Sequence, residues 1–402
     1  MVVKIAILGL GQRGLIYANY AKSHPDEFEI TAITDNDPRK ITVAKEQFTC
    51  PVFSDYKDFL SADIQADIVV VSTQDIDHPE HAVACMEKGY DLLLEKPIAP
   101  TLEGCNKISA AAKRLNRNVI VCHVLRYTAF YSKLKELITA GKVGDIITVH
   151  ASENVGYHHQ AHSFVRGPWR NSKESSPMIL AKCCHDMDIL RWLIDKKCHS
   201  VCSFGSLSVF RPERAPKGHT AYCSDCPLDD CIYKAQTLYP NYHWEAKYFT
   251  DSNDDKEILK ALTHSQYDRC VYASDNDVVD HQVSIFTFDG GVTAAHTMTA
   301  FSKEVYRDIK IHGTLAELVG NMEDNFIELR PFGGAVERVE IDKDSVKGNH
   351  GGGDNGLMHA IWCDFNGLPT FGMSYLDVSI DSHKMSFGAE QSRLSGKVVS
   401  IK

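Results

Sequence analysis

The stretch Lys4-Ile5-Ala6-Ile7-Leu8-Gly9-Leu10-Gly11-Gln12-Arg13-Gly14 carries the first architectural decision in this chain. Its opening apolar residues read as a buried parallel strand, which runs directly into G-x-G-x-x-G and then into the helix-compatible segment 15–22. Gly9 permits the tight turn, Gly11 lets the backbone approach a pyrophosphate, and Gly14 lets the helix lie close to the strand. The amides of Gln12 and Arg13, at the helix start, face the negative charge.

Outward from this loop, a second strand over 29–34 ends at Asp35, where an acidic side chain accepts hydrogen bonds from ribose hydroxyls. That carboxylate favours NAD over NADP, although Arg39 and Lys40 nearby soften the choice. Capping of the Asn36-Asp37-Pro38 turn is the other role open to Asp35. A third strand over 66–71 ends in Ser72-Thr73-Gln74, a helix spans 79–88, and a fourth strand over 91–94 ends in Glu95-Lys96-Pro97. Strands alternating with helices predict a doubly wound parallel sheet, and ligands bind beyond the carboxyl ends of such strands. Thr73, Glu95 and Lys96 stand at those ends.

Past Tyr127 the pattern changes to longer alternating strands over 146–153, 282–288 and 292–299, with Asp289-Gly290-Gly291 as a hairpin turn. We therefore expect two domains, a Rossmann domain over 1–125 and a substrate domain over 126–402. The segment 182–193 sets Met187, Leu190 and Leu193 on one apolar helical face. Lys182 stands three residues before His185 and four before Asp186, so a first helical turn would set it beside either. Oxidation of a secondary alcohol requires loss of the hydroxyl proton, and an imidazole such as His185 suits that task near neutrality. Lys96 can share this role or steady the developing alkoxide as a cation. A helix-start histidine bonded to Asp188 or to backbone is the bland alternative for His185. The segment 153–162 supplies hydroxyl-compatible partners, of which Tyr157 and His162 are the chosen substrate contacts, joined by Arg170.

Cys223, Cys226 and Cys231, at CxxC-x4-C spacing, are compact enough to ligate one structural zinc or part of an iron-sulfur cluster. Cys184, Cys270, His219 and His243 are candidates for a fourth ligand, and a loop of reduced thiols accounts for the same spacing. The surrounding stretch 210–273 reads as an insertion dense in aromatics, suited to stacking on sugar rings or to forming a small core of its own.

The chain has 402 residues, 44% hydrophobic and 24% charged, enough for about two domains. Its net charge of -10 offers no basic surplus for nucleic acid or an anionic membrane. No apolar run approaches the roughly 18 residues needed to cross a bilayer, and the expected location is cytoplasmic with reduced thiols.

The glycine loop, Asp35, Thr73 with His78, Glu95-Lys96-Pro97, His123 and Arg126 after the strand 119–122, and His185 beyond Trp169-Arg170 together resemble the Gfo/Idh/MocA oxidoreductases. The resemblance spans nearly the whole chain. It implies a cis peptide at Lys96-Pro97, with Lys96 towards the nicotinamide and the substrate hydroxyl, and a cofactor site that takes in His78 and Arg126. It further implies a C-terminal domain built on a large, mostly antiparallel open sheet that mediates dimers or tetramers, and a carbohydrate or cyclitol substrate. One departure stands out, because the family's polyol dehydrogenases usually carry an aspartate where this chain has Ala181, followed by Lys182. A redox-cycling glycosidase that retains NAD is therefore the alternative to a dehydrogenase, and a non-catalytic NAD sensor is the third reading.

Overall fold

A computed structural model describes residues 1–341 and 348–401. Its first sheet contains β1 (Val3–Leu8), β2 (Phe28–Thr34), β3 (Val52–Phe53), β4 (Ile68–Val71), β5 (Asp91–Leu94) and β6 (Val119–Val121). These pair in parallel in the order β3-β2-β1-β4-β5-β6. All four residues of β4 are buried, as a strand covered by helices on both faces requires. Strand order reverses between β1 and β4, so the expected doubly wound sheet has its ligand crevice where Gly9 and Ser72 meet.

Two glycines close that crevice sterically. Gly9 sits at φ +97°, and a Cβ there would stand 2.6 Å from the Ser72 carbonyl oxygen. A Cβ on Gly14 would stand 2.0 Å from the Gly9 carbonyl oxygen, whereas one on Gly11 would meet open space. The helix Gln12–Ser23 can therefore pack tightly only with glycine at position 14, and the backbone at Gly11 stays accessible.

The second sheet contains β7 (Ile146–Asn154), β8 (Cys198–Ser206), β9 (His281–Phe288), β10 (Thr293–Thr299), β11 (Tyr306–Gly313), β12 (Ala316–Asn321), β13 (Phe326–Pro331), β14 (Glu337–Val339) and β15 (Val399–Ser400). Their order is β14-β13-β12-β11-β7-β10-β9-β8-β15, antiparallel apart from the parallel pair β7 and β10. Burial alternates along β9, β10 and β12, so one face is core and the other open. The helices Ala129–Thr139 and Cys184–Ile194 bring Leu134, Leu137, Met187, Leu190 and Leu193 to the core face, against Val149, Phe286, Ile309 and Leu318. The open face exposes Ile147, Phe204, Val283 and Ile285. Asp289–Gly291 makes the β9-to-β10 turn, with Gly290 at φ +71°.

The chain then returns to the first sheet. The helix Gly353–Phe365 packs Leu357, Met358 and Ile361 against Ile5, Ile7, Leu10 and Tyr17. Beside β6, the Ser374 hydroxyl donates to the Val121 carbonyl at 2.6 Å, and the Val121 amide donates to the Ser374 carbonyl at 2.8 Å. The core of the dinucleotide domain is thus completed by residues far beyond 125. Between β8 and β9 the aromatic segment forms a subcore of its own around Phe210, Tyr233, Leu238, Tyr239 and Ile258. No helix among the described residues is long and apolar enough to cross a membrane.

Substituting Gly14→Ala should destabilise the protein by roughly 1–3 kcal/mol through overpacking against the Gly9 carbonyl, and should weaken NAD binding in calorimetric titration. Gly11→Ala should leave the melting temperature nearly unchanged, so an equal loss for both would contradict the steric account.

Candidate active site

The carboxyl ends of β1, β2, β4 and β5 converge on one crevice. Gly11 precedes the helix Gln12–Ser23 without a side-chain cap, and the first turn carries no acidic residue, so its amides are open to an anion. Asp35 accepts from the Leu10 amide at 2.6 Å and from the Asp37 amide at 2.8 Å, which fixes its carboxylate beside the glycine loop. Cap of the following helix is Asp37, which accepts from the Arg39 amide, so the capping role open to Asp35 falls to its neighbour. These features fit a dinucleotide: open amides for the pyrophosphate and a strand-end carboxylate for the ribose.

Arg13 is more constrained than a loop residue facing a ligand. Its Nε donates to Glu95 at 2.6 Å, and Nη2 donates to Asp354 at 2.6 Å and to the Tyr17 hydroxyl at 2.5 Å. Glu95 also accepts from Tyr17 at 2.6 Å and from the Lys96 amide at 3.0 Å. Burial pushes the Glu95 carboxyl up, but Arg13 and Lys96 outweigh it and hold the group below its ordinary range. Of the expected cofactor contacts, Arg13 and Glu95 therefore shape the crevice by binding each other. His78 is also fully buried, its ring nitrogens 2.8 Å from the Pro97 carbonyl and 3.3 Å from the Thr73 carbonyl, tying the β4 and β5 ends together. Thr73 pairs with His81 at 3.0 Å, and Gln12 is exposed at the helix start. Arg126, also expected at the cofactor, is buried and forks onto Asp188 with two bonds of 2.6 Å.

The peptide between Lys96 and Pro97 is cis. The Lys96 ammonium lies in the cleft between the two sheets, 3.4 Å from the Ala181 carbonyl. His185 enters the same cleft from the first turn of Cys184–Ile194; it is 5% exposed, and its Nδ1 has no hydrogen-bond partner. Burial, then the positive charge of Lys96 and the neighbouring His350 and His123, hold its pKa well below the ordinary value. At neutral pH His185 is an uncharged imidazole able to accept a proton. Asp188, the partner considered for it from sequence, is instead held by Arg126 and lies 2.8 Å from His123 Nδ1.

Lys182 does not share a helical turn with His185. The helix Met178–Ala181 stops before it and the next begins at Cys184, so Lys182 pairs instead with Glu153 at the end of β7, at 3.1 Å. Arg307 on β11 pairs with Glu153 at 2.5 Å and with Asp186 at 3.0 Å, giving a buried row of alternating charge, Lys182, Glu153, Arg307, Asp186. Burial pushes Asp186 up, yet Arg307 and His296 prevail and bring its pKa to about 2. Asp75, near Lys96, is hydrogen-bonded by Trp169, with its carboxyl raised by burial despite His78 and Lys96.

The expected substrate contacts each have a protein partner. Tyr157 meets the Tyr242 hydroxyl at 3.4 Å, His162 bonds Tyr239 at 3.1 Å and stacks on Tyr267, and Arg170 pairs with Asp275 at 2.9 Å. All three fasten the aromatic insertion. His159, between them, faces Lys182 and Lys96, which together with burial depress its pKa. Sequence reasoning also missed His350, whose ring centre lies 6.0 Å from that of His185 and whose Nδ1 is 2.9 Å from Asp354. Its signal was present as the glycine-rich run Gly351-Gly352-Gly353, which holds His350 at φ +48°. Arg307 and Asp75 gave no local signal.

Cys223, Cys226 and Cys231 do not form a closed ligand set: the one group of three potential metal ligands mutually within 4.8 Å among the described residues is Cys183, Asp186 and His296. Arg307, 3.0 Å from Asp186, already neutralises that group.

The crevice and cleft define a two-domain, NAD-binding oxidoreductase. Residues 3–123 match the oxidoreductase family model with an NAD-binding Rossmann fold, and 131–319 match the Gfo/Idh/MocA C-terminal domain. The chain belongs to the Gfo/Idh/MocA family. It is 26% identical to YteT of Bacillus subtilis (strain 168) over 83% of this chain and 82% of YteT. It is 30% identical to inositol 2-dehydrogenase 3 of Saccharopolyspora erythraea, over 54% of this chain and 59% of that enzyme. The chain thus spans somewhat over half the length of the inositol dehydrogenase. Levoglucosan dehydrogenase in complex with NADH has the same fold at a TM-score of 0.74 and 16% identity, both chains fully covered. So does the WlbA dehydrogenase from Bordetella pertussis in complex with NADH and UDP-GlcNAcA, at 0.69 and 15%, covering 100% of this chain and 99% of that one.

Buried neutral histidines make the fold acid-sensitive. His162 and His383 are held by burial at about 3, and His159 and His185 also lie well below their ordinary value, whereas an unfolded histidine titrates near ~6.5. With a depressed folded pKa, the unfolded state binds more protons, so this stability is present above pH ~6.5 and is lost as pH falls. Asp186 and Asp354, both at about 2, add a further loss between pH ~3.9 and ~2. Urea unfolding free energies should therefore fall from pH 7 towards pH 5, before carboxylates titrate; a flat profile across that window would be the contrary result.

Proposed function

We propose that the protein oxidises a ring hydroxyl of a sugar, sugar derivative or cyclitol, or reduces the corresponding ketone, using NAD in preference to NADP. The juxtaposition of the Lys96 ammonium with the neutral, unpartnered His185 in one buried cleft carries this reading. Support for the substrate class comes from the inositol 2-dehydrogenase relatives and from the sugar-acting dehydrogenases that share the fold.

Bound NAD supplies the hydride acceptor. Lys96 holds the substrate hydroxyl and stabilises the charge that grows on its oxygen, while His185 takes the hydroxyl proton. The row Lys182, Glu153, Arg307, Asp186 has no net formal charge, so it sets the cleft's polarity and fixes Lys182 for contact with a further hydroxyl without recharging His185. His159 and Trp169 complete the polar wall. The exposed Ile147, Phe204, Val283 and Ile285 on the second sheet suit a homodimer or homotetramer contact.

A second reading, the redox-cycling glycosidase with retained NAD, is favoured by Ala181, which leaves His185 without the usual carboxylate, and by Asp75, whose raised carboxyl suits protonation of a leaving group.

The test follows NADH and product together across sugars, cyclitols and aryl glycosides. NADH formed in step with ring oxidation supports the dehydrogenase, and aglycone release without net NADH supports the cycle. Lys96→Ala and His185→Ala should each lower kcat about 10²–10⁴-fold, the usual weight of a positioned acid or base, with NAD affinity retained. Undiminished turnover in both variants would overturn the assignment.

A further inference from the structure

The insertion between β8 and β9 surrounds a cation with no anion. Arg166 is fully buried; its Nε donates to the Arg269 carbonyl at 2.6 Å, and Nη2 donates to the Tyr233 carbonyl at 2.7 Å and to Cys223 Sγ at 3.6 Å. Nη1 has no hydrogen-bond partner. Among the described residues no carboxylate pairs with it: of the buried acids of the insertion, Glu245 is taken by His158 at 2.9 Å, and Asp268 accepts from the Ser224 hydroxyl at 2.5 Å and from the Gln236 amide at 2.7 Å. Burying a guanidinium costs heavily unless an opposite charge meets it.

The groups around Arg166 are thiols. Cys223 and Cys270 are 6% and 7% exposed, and they are brought together by the Cys270 amide donating to the Ala221 carbonyl at 2.9 Å and by an antiparallel bridge between Tyr222 and Arg269. Cys226 follows in the same turn, its amide on the Cys223 carbonyl at 3.2 Å, and Cys231 packs against the subcore. Lys234 also stands at this corner, 3.4 Å from the Cys226 carbonyl, but its charge is matched by Asp229 at 2.6 Å. The other fourth ligands open from sequence are engaged elsewhere: Cys184 is buried on the helix bearing His185, His219 bonds the Pro216 carbonyl, and His243 bonds Asp255.

We propose that Cys223, Cys226, Cys231 and Cys270 bind one zinc ion as a tetrathiolate whose buried counter-cation is Arg166. Four thiols lose four protons to solvent as Zn²⁺ enters, leaving a centre of charge -2 that faces Arg166, with no change of oxidation state. Among the described residues no three of these sulfurs lie mutually within 4.8 Å, so binding requires the short turns at 223–231 to close onto Cys270. A disulfide would leave Arg166 uncompensated, which is why the charge argument selects metal. The site is structural: four thiolates close the coordination sphere, and it pins the insertion that carries Tyr239 and Trp244 against His162 and His159.

The experiment uses the whole protein purified without chelator. Elemental analysis and native mass spectrometry should give one zinc per chain, and exchange with Co²⁺ should give the strong thiolate charge-transfer absorption and tetrahedral d–d bands of a four-sulfur site. Cys226→Ser and Cys270→Ser should each lose the metal. Substoichiometric zinc, a wild-type mass lighter by two hydrogens, or full zinc retention in Cys270→Ser would each overturn the proposal. Should a variant fail to fold, the cobalt spectrum of the wild-type protein still decides: a mixed nitrogen and sulfur spectrum would also overturn it.

Discussion

The cluster of Arg13, Glu95, Tyr17 and Asp354 is the interaction on which the rest depends. One guanidinium joins the helix after the glycine loop, the end of β5 and the helix Gly353–Phe365, drawn from three distant parts of the chain. Its two carboxylates are almost wholly buried, and removing one partner from such a cluster leaves an uncompensated charge, at a cost of about 3–5 kcal/mol. The cluster fixes where Lys96 can stand, because the Lys96 amide itself rests on Glu95.

From that fixed point the electrostatics of the cleft follow. Burial, then Lys96 and the histidines His350 and His123, make protonation of His185 unfavourable, so the cleft holds a cation and a neutral base side by side. A carboxylate in contact with the imidazole would pull in the opposite direction. The nearby carboxylates are instead matched to cations of their own, Glu153 to Lys182 and Arg307, Asp188 to Arg126, and Asp354 to Arg13. Replacement of aspartate by Ala181 is consistent with this arrangement, in which Lys182 finds its anion on β7 rather than on its own helix.

The aromatic insertion has a core and a charge problem separate from those of the two sheets. Its rings pack on His158, His159 and His162, so it forms a wall of the cleft while its interior is organised around Arg166. Stability of this wall and chemistry at Lys96 are therefore distinct properties carried by one segment, 153–166, that touches both.

The sequence by itself determined the parallel sheet, the glycine crevice, the strand-end position of Lys96, the antiparallel second domain and the family. The first three rest on local periodicity and on glycines whose steric need is local, and the last two on the resemblance carried by the motifs. Tertiary structure alone decided which polar side chains share the cleft. Arg13, Arg126, Tyr157, His162 and Arg170 have the right chemistry for ligands, yet each is engaged by a partner far away in sequence. His350, Arg307 and Asp75 reach the cleft from separate elements, through long-range contacts that no spacing rule encodes. Lys182 shows the reason most directly: it stands three positions before His185, but a break between two helices turns it towards Glu153, and only the packed β7 supplies the charge that holds it there.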